Sequence, residues 1–109
     1  MPYHDPTGDR MAHQQFCLIA DKIEAEPALL RIPLENIERW LARGHWAGRE
    51  LNQWRQWIEA AQASASGMKR LLNLLRDDSE GARDWKGYDP FPGILDDNEL
   101  APLTWTSRH

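Results

Sequence analysis

Apolar residues recur at helical spacing along most of this chain of 109 residues. Ala12, Phe16, Ile19 and Ile23 follow at intervals of four, three and four, which puts them on one helix face, with Gln14, Asp21 and Lys22 opposite. The pattern predicts a helix that starts with Asp9 as its cap and stops near Glu26, because Pro27 disfavours helical geometry in the residue before it. Pro27 and Pro33 each suit the first position of a new helical turn, ahead of Ala28 and Leu34. Leu34, Ile37, Trp40 and Leu41 make the next stripe, and Gly44 suits a left-handed C-cap. The clearest stripe is Leu51, Trp54, Ile58 and Ala61, with Trp57 beside it and Glu50, Gln53, Arg55 and Glu59 outside. The short link over His45 to Gly48 makes these two helices an antiparallel hairpin.

A further helix is expected over Met68, Leu71, Leu72 and Leu75, with Ser66 as N-cap and an end at Asp77-Asp78. Ser79 suits the cap of a short helix carrying Ala82 and Trp85. No segment alternates in the manner of a strand, and the chain has no valine. The expected fold is all-α: a compact bundle of four to five helices over residues 9–87, with an irregular acidic C-terminal segment over residues 88–109. Pro90, Pro92 and Gly93 rule out a regular helix there, so the segment is expected to lie over the helices through Phe91, Ile94 and Leu95. The tail around Pro102 and Trp105 is expected to be partly disordered.

A hydrophobic share of 41% and a charged share of 28% are ordinary globular values and argue against disorder. The formal net charge of −4 argues against a protein devoted to neutralising nucleic-acid phosphates. That charge is uneven. Residues 77–99 hold eight acids against Arg83 and Lys86, a net of −6, whereas residues 1–76 hold nine acids and ten bases. Cys17 is the single cysteine, so no internal disulfide is possible. No basic-then-apolar leader opens the sequence and no apolar run is long enough for a membrane span, so a cytoplasmic location is expected. The stripes carry more large apolar residues than a chain this size readily hides, which makes a homodimer the expectation.

Candidate chemistry is sparse. The four histidines, His4, His13, His45 and His109, contain no pair spaced for one helix face. His13 and Cys17 are so spaced but make only a two-ligand fragment, so no metal or cofactor is expected. Cys17 sits among Phe16, Leu18 and Ile19, the setting of an inert buried thiol. No catalytic arrangement emerges, and a small enzyme ranks behind two binding readings. The first is partner docking: Trp46 stands between two glycines in the hairpin turn, where helix amphipathicity does not demand a large ring, and tryptophan dominates binding hot spots. Phe91, Ile94 and Leu95 would serve as further apolar anchors, with Asp96 and Asp97 steering a basic protein partner. The alternative is a DNA-binding regulator that uses Arg39, Arg43, Arg49 and Arg55 around the hairpin.

Several pieces occur together in an order that resembles a family of short, largely uncharacterised bacterial helical proteins. They are Glu26 to Leu30; Asn36, Ile37, Arg39 and Trp40; Trp54, Arg55 and Ile58; Asp77 to Glu80; and Lys86 with Pro90, Phe91, Gly93 and Leu95. The chain departs from that pattern at Pro33, at Lys86 in place of arginine, and at Asp89 in place of serine. Genes of that family often lie beside those of toxin-like or nucleotidyltransferase-like proteins. The resemblance therefore implies an antitoxin-like or regulatory member of a two-gene module, whose partner is encoded nearby.

Overall fold

The computed structural model describes residues 6–100, with side chains from residue 10 onward. Five α-helices follow in order: α1 (Pro6–Ala25), α2 (Arg31–Ala42), α3 (Gly48–Ala63), α4 (Ala65–Arg76) and α5 (Glu80–Lys86). Residues 97–100 are helical as well, which corrects the expectation of an irregular segment at that point; residues 88–96 form no regular element. A 3-10 turn at Pro27–Leu30 joins α1 to α2, and no strand occurs among the described residues, so the fold is all-α. No described helix is long and apolar enough to cross a membrane.

Helix starts depart from the sequence reading for one physical reason. The first N–H groups of a helix have no partner within it, so proline and glycine are tolerated in the first turn. α1 accordingly opens at Pro6, three residues ahead of Asp9, which is not its cap. α2 opens at Arg31, so Pro33 sits buried within its first turn. Between α3 and α4 a single residue, Ser64, is extended, and its hydroxyl accepts the Gly67 N–H at 3.0 Å; the cap is Ser64, not Ser66. Gly67 then falls where α4 crosses α3. A side chain there would land 2.1 Å from the Ala60 carbonyl oxygen, so glycine alone permits this approach. Ser79 caps α5 through the Ala82 N–H.

The core gathers Ile19 and Ile23 of α1, Ile37 of α2, Leu51, Trp54 and Ile58 of α3, and Leu71 and Leu75 of α4. The chain beyond α5 closes it. Phe91, Ile94 and Leu95 are buried there, with Phe91 edge-on to Trp54 at 5.4 Å. Two ties hold this segment. Asn36, buried on α2, donates from its amide to the carbonyl oxygens of Pro90 and Pro92 at 2.9 and 2.8 Å. Lys22 of α1 donates to the Ile94 carbonyl oxygen at 2.8 Å and pairs with Glu99 at 2.6 Å. That pairing raises the affinity of Lys22 for its proton and lowers that of Glu99. The expectation for the tail around Pro102 and Trp105 falls outside the described residues.

Of the three tryptophans in the α2 and α3 stripes, only Trp54 is fully buried, with Nε1 donating to the Trp85 carbonyl oxygen at 3.0 Å. Trp40 and Trp57 are half-buried against the core. Trp54→Ala is therefore expected to cost about 3–5 kcal/mol. Trp40→Ala should cost less than Trp54→Ala, by about 1–2 kcal/mol, since part of its surface already meets water. Urea unfolding of both variants checks the ranking, and equal losses would contradict it.

Candidate functional site

The corner between α2 and α3 is set by Gly44, whose φ of +75° is the left-handed conformation that glycine adopts without strain. The N–H groups of Gly44 and His45 turn back onto the carbonyl oxygens of Leu41 and Trp40 at 3.0 and 3.1 Å. These are the two bonds of a Schellman cap. His45 Nδ1 then accepts the Ala47 N–H at 3.0 Å, and the Ala47 side chain is buried. Trp46 stands between these two anchored residues and is left 82% exposed.

Its ring is nonetheless held. Trp46 stacks on His45 with centroids 5.6 Å apart and planes 23° from parallel, and meets Tyr88 edge-on at 5.9 Å. His45 lies 6.1 Å from Trp40. These rings, with Leu51, Gly87 and Asp89, line a cavity of about 250 Å³. Asp89 is its one carboxylate. Its Oδ1 accepts the Phe91 N–H at 2.7 Å, the side-chain turn that opens the Pro90–Pro92 segment. Burial pushes this carboxyl up to about 6, outweighing the Phe91 hydrogen bond, which acts the other way. Among the described residues no cation forms an ion pair with it.

A second cluster lies where α1 meets α5. His13 Nε2 is 3.6 Å from Cys17 Sγ, one turn further along α1. His13 Nδ1 is buried without a hydrogen-bond partner and lies 3.8 Å from Asp78 Oδ1, beyond hydrogen-bond reach. The adjoining cavity of about 210 Å³ is lined in part by Phe16, Asp78, Arg83 and Lys86. Its cations are engaged. Arg83 Nε donates to Asp78 at 3.0 Å, and the buried Lys86 ammonium donates to the Asp77 and Leu75 carbonyl oxygens at 2.5 and 3.4 Å. Lys86 thereby satisfies the C-terminal carbonyls of α4 and lies 5.1 Å from the centre of the Phe16 ring. Burial lowers its affinity for the proton. Cys17 is half-buried rather than enclosed, and no group of three or more metal-ligating side chains occurs among the described residues.

The sequence-derived docking set divides. Trp46 is on the surface, but Phe91, Ile94 and Leu95 are part of the chain's own core, which corrects their reading as anchors offered to a partner. Asp96 is occupied by a capping box: its Oδ1 accepts the Glu99 N–H at 2.8 Å while Glu99 Oε1 accepts the Asp96 N–H at 2.9 Å. Asp97 is exposed. Of the large hydrophobics on the described surface only Leu18 and Trp46 are exposed, while others, Trp40, Trp57 and Trp85 among them, are half-buried. Arg39, Arg43, Arg49 and Arg55 are all exposed, and none forms an ion pair with another described residue. Arg39 donates to Asn36 Oδ1, and Arg55 to Asn52 Oδ1. Sequence reasoning did not single out Trp40, His45, Tyr88 and Asp89 as a site. The nearest signal was Asp89 ahead of Pro90, a turn-forming pair. Comparison with family models, curated proteins and solved structures finds no match for this chain.

The raised Asp89 has a consequence for stability. Between the ordinary carboxyl value of 3.8 and about 6 the folded state binds the extra proton, so stability falls as pH rises through that window and stays lower above it. Asp89→Asn, whose amide oxygen still accepts the Phe91 N–H, is expected to raise stability by on the order of 3 kcal/mol above pH 7. The gain should vanish below pH 4, and melting curves at pH 4 and pH 7.5 test it.

Proposed function

We propose that this chain is a protein-interaction protein, the antitoxin-like or regulatory partner in a two-gene bacterial module, which docks through its α2–α3 corner with Trp46 as anchor. The observation that carries this reading is a tryptophan 82% exposed yet held between His45 and Tyr88. A large ring with restricted motion loses little entropy on binding and gains much from desolvation, which is why tryptophan recurs at hot spots. The net charge of −6 over residues 77–99 supports a basic partner. Binding of the neighbouring gene's product should weaken about 30-fold in Trp46→Ala, as loss of a hot-spot residue of about 2 kcal/mol requires. Calorimetry on the co-purified pair reads this directly, and an unchanged affinity would move the docking surface elsewhere.

A second reading, a DNA-binding regulator, is favoured by four exposed guanidinium groups around one helical hairpin, none in an ion pair among the described residues. It predicts duplex affinity that falls steeply with salt and is lost when Arg39 and Arg43 are replaced by alanine. Absence of salt-dependent duplex binding in the wild type would exclude it, and binding that survives the replacement would place the DNA contact away from Arg39 and Arg43.

A further inference from the structure

We propose that the cavity beneath Trp46 receives an arginine side chain of the protein partner, with the guanidinium against the faces of Trp40, Trp46 and Tyr88 and its charge toward Asp89. The proposal deepens the docking reading and rests on it for the identity of the donor.

The argument begins with Asp89. It is the only acidic group lining the cavity, it uses one oxygen for a backbone N–H, and no cation among the described residues compensates its charge. A carboxylate withdrawn from water without a counter-ion is costly to the fold, and a cation brought alongside removes that cost. The other titratable groups around it are His45 and Tyr88, which line the same cavity. Arg43 and Arg49 flank the turn in sequence, and neither forms an ion pair with Asp89.

The walls point the same way. Three electron-rich rings around one carboxylate suit a cation, because the face of an aromatic ring attracts positive charge, tryptophan most strongly. The flat guanidinium stacks on such faces and is more weakly hydrated than a lysine ammonium, so it enters a half-buried site at lower cost. Size agrees. A cavity of about 250 Å³ lies below the roughly 300–1,000 Å³ of pockets that enclose whole small molecules, and matches one long side chain.

The test uses the full chain and N-acetyl-arginine-methylamide as probe, with its neutral citrulline and its lysine counterparts as controls. Indole N–H resonances are followed by NMR in wild type, Asp89→Asn and Trp46→Leu. The arginine probe is expected to shift the Trp40 and Trp46 signals saturably, the citrulline probe to bind at least tenfold more weakly, and both substitutions to abolish the difference. Citrulline binding as well as arginine, or arginine binding undiminished in Asp89→Asn, overturns the site. Lysine binding as tightly as arginine overturns the preference for a guanidinium. Because both variants change exposed or half-buried groups, their circular dichroism should match wild type, and Trp46→Leu keeps the test decisive if Asp89→Asn does not fold.

The donor is tested separately by titrating the neighbouring gene's product into wild type and Asp89→Asn. A tenfold loss of affinity in the variant supports a partner arginine. Full affinity in the variant, with the probe still dependent on Asp89, overturns the partner as donor and assigns the cavity to a free guanidinium compound. Failure of that product to bind at all defeats the docking reading, while the probe experiment still decides what the cavity accepts.

Discussion

The amide of Asn36 holds together two parts of the chain that local sequence gives no reason to join. The Pro90–Pro92 segment carries two prolines, so its backbone has few donors and cannot form a regular element that would satisfy its own carbonyl groups. Buried carbonyls without donors would oppose closure of the core. Asn36 supplies both N–H bonds from α2, and Phe91 between the two prolines is thereby seated edge-on against Trp54. Placement of Tyr88 and Asp89 beside the α2–α3 corner follows from that seating, so the candidate site depends on a hydrogen-bonded clamp in the interior.

The same closing segment explains why the acidic quarter of the chain is less of a uniform charged coat than its composition implies. Glu99 is engaged with Lys22 and with the Asp96 N–H, Asp96 caps the turn that follows it, and Asp78 is paired with Arg83. Asp77 accepts the Ser79 N–H. Asp89 is withdrawn into the cavity. Several of these carboxylates therefore fix local geometry, and Asp89 is half-buried with no cation paired to it among the described residues.

Aromatic rings connect the core to the surface without a break. From Phe91 the contacts run through Trp54, Trp57, Trp85, Tyr88, Trp46 and His45 to Trp40, each neighbouring pair within 4.9–6.4 Å between centroids. Edge-on and offset packing of such rings adds to the stability that area burial provides. It also accounts for how Trp46 can be largely in water and still be held: its neighbour Tyr88 is half-buried and joins, through Trp85 and Trp57, to the buried Trp54.

Much of the architecture was legible because its causes are local. The 3.6-residue period of apolar side chains identified the helical segments, Gly44 and Ser79 announced an end and a start, and the proline-rich stretch excluded a sixth long helix. The exact openings of α1, α2 and α4 were not legible, because first-turn positions tolerate Pro6, Gly8 and Pro33, and because Ser64 and Ser66 are equally able caps until the approach of α4 to Ala60 decides between them. The site was legible only at Trp46, as a large ring in a turn. That Phe91, Ile94 and Leu95 face inward, and that Tyr88 and Asp89 lie beside Trp46, was decided by contacts between residues far apart in the chain, such as Asn36 with Pro90, Lys22 with Ile94 and Trp46 with Tyr88; the Asp96 cap, by contrast, is a local pairing with Glu99. Periodicity along the chain specifies which face of a helix is apolar. Which distant segment covers that face, and which charge is left beneath it, is set only when the core closes and every buried polar group must find a partner.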